Sequence, residues 1–190
     1  MKTKVISIQK EPVRKEEAYD QCYLIDPDMR DVALFSRLIP AAREFAEART
    51  WRGLAKKTIE GSLDKFPDVI EVPFPAIGEV TELKYTDKNE EVKTLVEGTD
   101  FVVDDFSEPA RIVPITDWPE TSELPNAVKI TYTTKGYCPD AVKHAILYLV
   151  KHFYDNRDMV IVGEGVRMSA EEVPLTALHL LDPYSVRRFV

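Results

Sequence analysis

Pro139-Asp140-Ala141-Val142-Lys143-His144-Ala145-Ile146-Leu147-Tyr148-Leu149-Val150-Lys151-His152-Phe153-Tyr154-Asp155 is the stretch whose reading decides the fold. Val142, Ala145, Ile146, Leu149, Val150 and Phe153 recur at the spacing of one helical face. Lys143, His144, Lys151 and Asp155 fall on the opposite side. Leu147 and Tyr148 widen the apolar surface, which predicts two neighbours for this helix. Pro139 suits a first helical turn, where its missing N–H costs nothing. Asn156 suits the stop, because Asn tolerates the left-handed conformation that ends helices. The pattern is that of the central helix of a helical core, and it carries packing positions without chemistry.

Its neighbours come from the N-terminal quarter and the C-terminal end. Arg14–Tyr23 reads as a short polar helix presenting Ala18, Cys22 and Tyr19 to a core. A second helix spans Met29 to Thr50, with Phe35, Leu38, Ile39, Ala42, Phe45, Ala46 and Arg49 in the 3.6 period. Asp28 is placed to cap it, with Asp31 favouring its positive end. Pro40 inside it predicts a kink or two abutting helices. Its charged face, Arg37, Arg43, Glu44 and Glu47, reads as solvated or subunit-facing. Pro174–Leu181 forms a last short helix through Leu175, Leu178 and Leu181, after a loop over Asn156–Ala170.

Between the helices the texture changes. Val5–Ile8 opens the chain as a short strand. Then Thr58–Leu63, Val69–Val72, Val80–Tyr85, Val92–Val96, Phe101–Asp104, Arg111–Ile115 and Ala127–Thr133 alternate or run apolar, divided by turn signals such as Phe66-Pro67-Asp68 and Glu97-Gly98. Short strands between turns predict an antiparallel sheet or small barrel, with no helix of useful length inside. The fold class expected is α+β: a helical core from residues 1–57 and 136–190, with 58–135 as a β insertion, in a single structural unit.

Composition narrows the function classes. The 190 residues carry a net charge of −8, which argues against a sequence-independent grip on DNA but not against a surface past which DNA slides. The basic start lacks the apolar core of a signal peptide, and no apolar run reaches the ~18 residues of a membrane span. A chain made and used in a cytoplasm, without membrane contact, is the expectation. Cys22 and Cys138 are far apart and read as free thiols.

Reactive constellations are sparse. His144 and His152 lie ~12 Å apart along a helix rising ~1.5 Å per residue, too far to share a metal, and His179 stands alone. The order Cys138, Pro139, His144 leaves a thiol or metal hydrolase as a remote alternative. No phosphate-cradling glycine loop or nucleophile elbow occurs. The acidic run Asp100, Asp104, Asp105 and Glu108 reads as a solvated hairpin end rather than a cation loop. No cofactor, metal or catalytic residue is assigned.

One ordered set of residues remains. It comprises Glu11-Pro12-Val13 with Glu17-Ala18; Asp31 with Leu38-Ile39-Pro40-Ala41-Ala42-Arg43 and Thr50; Phe66-Pro67, Pro73 with Pro75, and Val80 with Lys84-Tyr85 and Asp87. Pro109 with Arg111-Ile112, Trp118-Pro119, Asn126-Ala127-Val128, Ile130-Thr131-Tyr132, Gly136-Tyr137, Ala145-Ile146, Leu149, His152, Tyr154 and Asn156-Arg157 complete it. In this set the chain resembles the head–tail connector (adaptor) proteins of long-tailed bacteriophages and prophages, over nearly its full length. Trp51-Arg52-Gly53-Leu54 departs from the pattern, which has glycine at 51 and a small non-glycine residue at 53.

The resemblance implies a non-enzymatic virion protein made in the host bacterial cytoplasm. It implies many copies, as in a dodecamer, closing a ring beneath the portal protein. Such a ring extends the DNA channel used in DNA packaging, passes double-stranded DNA without reading its sequence, and docks the next neck or tail-completion protein. Tyr184, Arg187, Arg188 and Phe189 are the expected portal-binding residues, on an apolar and basic tail suited to ordering on a partner. Another neck protein or an interaction module remains an alternative.

Overall fold

The computed structural model describes residues 1–74, 77–156 and 173–186, with strands β1 (Lys2–Lys10), β2 (Lys56–Leu63), β3 (Ile70–Val72), β4 (Ile77–Thr86), β5 (Val92–Leu95), β6 (Phe101–Asp104), β7 (Ala110–Pro114) and β8 (Val128–Thr134). Its helices are α1 (Lys15–Gln21), α2 (Met29–Thr50), α3 (Asp140–Asp155) and α4 (Leu175–Leu181), followed by a 3-10 turn at Asp182–Tyr184. The class is α+β. The chain divides into two compact units: a sheet unit of Met1–Lys10, Trp51–Tyr137 and Val186, and a helical unit of Glu11–Thr50 and Cys138–Ser185. β1 pairs with β2, which takes the N-terminus into the sheet unit.

In the helical unit α3 is central. Val142, Ala145, Ile146, Leu149 and Val150 are buried, and α3 packs against α1, α2 and α4, one more neighbour than its pattern predicts. Phe35 of α2 sits between Tyr19 and Tyr154, ring centroids 4.9 and 5.3 Å away. The stop at Asn156 works differently from expectation. Its φ is −104°, not left-handed; its backbone N–H and side-chain amide both donate to the His152 carbonyl instead, at 3.0 and 2.9 Å.

The α2 start behaves as read. Asp28 Oδ1 accepts from the N–H groups of Arg30 and Asp31 at 2.7 and 2.9 Å, and Asp31 Oδ2 accepts from the Asp28 N–H at 3.1 Å. The helix then runs through Pro40 as one element, so the chain does not divide there. The charged face requires correction. Arg43 is 1% exposed and Glu47 is buried, with Arg43 donating to Glu47 at 2.6 Å, Glu11 at 2.8 Å and Glu44 at 3.2 Å. Glu11 lies outside the helix, so helical periodicity could not reveal this cluster.

The sheet unit holds two antiparallel sheets, ordered β1-β2-β8-β4-β5 and β3-β7-β6. Apolar residues from both, among them Ile59, Leu83, Ile130 and Tyr132 with Ile70, Phe101 and Ile112, form one buried cluster. Thr134 is one of the polar residues buried in this unit: its hydroxyl donates to the Ala55 carbonyl at 2.7 Å and accepts from the Lys57 N–H at 3.0 Å.

Candidate functional site

The sequence points first to the C-terminal tail, and the helical unit shows how its start is held. α4 buries Ala177 and Leu181 and runs directly into the 3-10 turn. There Asp182 Oδ1 accepts two bonds from the Arg49 guanidinium, at 2.7 and 3.1 Å, and the Ser185 hydroxyl donates to the Arg49 carbonyl at 3.3 Å. Arg49 belongs to the last turn of α2, where a cation also complements the negative helix end. One arginine thus clamps the chain at the base of the tail. Tyr184 lies half-buried within this clamp, while Arg187, Arg188 and Phe189 lie outside the described residues. Periodicity assigned Arg49 to the apolar stripe. Its role depends on a partner 133 residues away, which no local signal exposes.

The residues of the hydrolase alternative are not arranged for it. Burial pushes the Cys138 thiol up to about 11, so it is protonated at neutral pH and lacks the thiolate that attacks. Its sulfur contacts the Pro139 carbonyl at 3.8 Å. His144 is exposed, its ring edge-on to Tyr148 at 4.7 Å. Among the described residues no group of three His, Cys, Asp or Glu side chains could hold a metal.

The acidic run in the sheet unit is a brace. Asp104 Oδ2 accepts from the Ser107 hydroxyl at 2.6 Å and from Arg111 at 2.7 Å, and these bonds hold its carboxyl well below the usual carboxylate range. Lys135 pairs with Asp105 at 2.8 Å and lowers it too. Arg52 makes two 2.6 Å bonds to Glu108, and Asp100 accepts from the Val96 N–H at 2.8 Å. With each carboxylate engaged inside the chain, the loop is fixed in shape and displays Phe106, 97% exposed, between Asp105 and Ser107. Tyr23, Ile25 and Met29 are exposed in the same way around the α1–α2 connection. Beside the stacked Phe66–Trp118 pair runs an open groove lined also by Lys65, Lys88, Glu90, Glu120 and Glu123, in which Lys88 pairs with Glu120. These surfaces suit contacts between macromolecules. Among the described residues no helix is long and apolar enough to cross a membrane.

No protein-family model and no curated protein matches the sequence. Solved structures do match. The fold is similar to a chain in the virion of a native gene transfer agent particle, with a TM-score of 0.76 at 19% identity, over 100% of this chain and 98% of that one. It is equally similar to a chain in the neck of the empty particle computed with C6 symmetry, TM-score 0.76 at 18% identity, over 100% and 98%. A chain in the neck of the native particle computed with C12 symmetry follows at 0.68 and 17%, over 98% and 97%. The likeness is one of fold, and it spans both units.

Proposed function

We propose that this chain is a structural subunit of the neck of a phage-like particle: a head–tail connector that assembles as a ring beneath the portal. The observation that carries this reading is the end-to-end match of both units to chains from gene transfer agent particles, two of them from symmetric necks. Exposed apolar side chains on braced loops, together with a thiol held protonated, favour contact over catalysis. In this reading the two units act as one building block, copies of the chain are its first partners, and the next neck protein docks on the ring. A net charge of −8 lets DNA slide through without sticking.

The tail is the proposed portal contact. Arg49 sets the point from which it leaves the helical unit, and Tyr184, Arg187, Arg188 and Phe189 provide two cations and two rings, the residue types that dominate binding energy at interfaces. The test removes residues 184–190 from the gene of a particle-producing host. Folded protein by circular dichroism, with heads and tails that remain separate in electron micrographs, is expected. Normal joining would refute the tail assignment. A wild-type particle whose neck density lacks the chain would refute the neck reading itself.

A further inference from the structure

The five-stranded sheet ends on two open strands whose sequences complement each other. β1 is exposed along its whole length, Val5, Ile6 and Ile8 included, and among the described residues it has a partner strand on one side only. An uncovered edge strand is a template for another strand. β1 carries Lys2, Lys4 and Lys10 and no acid. At the other end of the sheet, β5 exposes Val92 and carries one cation, Lys93, which is paired with Asp87 inside the chain; Glu90 and Glu91 precede the strand and Glu97 follows it, so its flanks are acidic.

The backbone of β5 shows which groups are available. The Asp87 N–H bonds the Glu91 carbonyl at 2.9 Å, and the Thr86 N–H bonds the Ala127 carbonyl of the opposite neighbour at 2.8 Å. Alternation therefore turns the main-chain groups of Val92 and Thr94 outward. The Val96 N–H is already taken by Asp100. The open ladder thus runs from Val92 to Thr94.

Direction selects the pairing. In a five-stranded antiparallel sheet the first and last strands run the same way. A second copy related by cyclic symmetry, without inversion, presents β1 parallel to β5. One register then sets Lys4 beside Glu91 and Val5 beside Val92, and carries Lys10 toward Glu97. Like edges gather like charge: β1 against β1 brings its lysines together, and β5 against β5 brings together its Lys93 residues and its acidic flanks.

We propose that β1 of one copy pairs in parallel with the open edge of β5 on a second copy, so that the sheet continues from subunit to subunit. This rests on the ring reading above and supplies its self-contact. The test follows self-association of the full chain by sedimentation across concentration, with circular dichroism confirming that each variant folds. Lys4→Glu and Glu91→Lys should each weaken association about fivefold or more, and the two together should restore it. Val5→Cys and Val92→Cys sit at opposite edges, ~19 Å apart at ~4.8 Å per strand, so a disulfide between them joins two chains. A mixture of the two single variants should cross-link under oxidation, and either alone should not. A monomer at every concentration, cross-linking through Val5→Cys alone, or charge reversals that fail to rescue each other would overturn the pairing. Rescue and cross-linking in a protein absent from particle necks would instead overturn the neck reading alone.

Discussion

The two units use charge in opposite ways. In the helical unit a guanidinium is buried among carboxylates, with Arg43 against Glu47 and Glu11. Burial pulls that guanidinium down, and the two glutamates outweigh it, leaving it above its ordinary value. In the sheet unit the ion pairs Arg52–Glu108, Lys135–Asp105 and Arg111–Asp104 stay at the surface, around a loop; Lys57 and Asp87 are buried there, but the cluster of packed side chains between the sheets is apolar. The difference teaches what each set contributes. Surface pairs shape a contact loop and add little stability. A buried pair adds little net stability too, but removing one member strands a charge.

That contrast is open to measurement, because both tryptophans, Trp51 and Trp118, belong to the sheet unit. Their fluorescence reports on the sheets, and circular dichroism at helical wavelengths reports on the helices. In urea, Arg43→Ala should lower the stability of the helical unit by about 3–5 kcal/mol. Arg43→Met combined with Glu47→Leu should recover most of that, since it leaves no buried charge. A loss under about 1 kcal/mol for the single variant would break the comparison. Next in size, Thr134→Val removes the buried hydroxyl that accepts from the Lys57 N–H and donates to the Ala55 carbonyl, and should cost about 1–3 kcal/mol, read by fluorescence. Arg52→Ala, at the surface pair, should cost about 0.2–1 kcal/mol.

The sequence exposed the elements better than their charges. Apolar period and turn chemistry are local, so Phe101–Asp104 and the Met29–Thr50 helix were legible to their ends. Asp28 and Asp31 were legible for the same reason, since a cap acts within three residues. Arg43, Glu47 and Arg49 were not, because Glu11 and Asp182 come from distant segments. The departure at residue 51 is instructive. Trp51 has φ +58°, the left-handed conformation that glycine tolerates best, so the glycine expected there fits the backbone found. Gly53 answers to packing instead, since a Cβ there would lie 2.8 Å from the Thr134 methyl. Of the proposed portal contacts only Tyr184 falls within the described residues, so that assignment still stands on sequence alone.

Trp51 separates conformation from contact in the sheet unit. Trp51→Gly and Trp51→Ala both remove the indole, but only alanine keeps a Cβ in the left-handed region. The glycine variant should be more stable than the alanine variant by about 1–2 kcal/mol, followed through Trp118 fluorescence. Equal stabilities would show that the turn relaxes when the indole is gone.

The smallest effect is a pH dependence in the helical unit. Lys143 of α3 bonds Glu17 of α1 at 2.5 Å, and the Arg14 N–H bonds the same carboxylate at 2.9 Å. Burial raises the Glu17 carboxyl, but these bonds prevail and bring it from 4.5 down to about 2. A depressed folded value means the contribution is fully present above the unfolded value and is lost as pH falls from about 4.5 toward about 2. Glu17 is partly open to solvent, so screening leaves about 1 kcal/mol. Lys143→Met should flatten the acid limb of the helical transition by that amount. The fluorescence transition should keep its own acid limb, because Asp104 and Asp105 are also held below their usual range by partners that this substitution leaves in place. A matching change in the fluorescence limb would mean that the two units share their acid response.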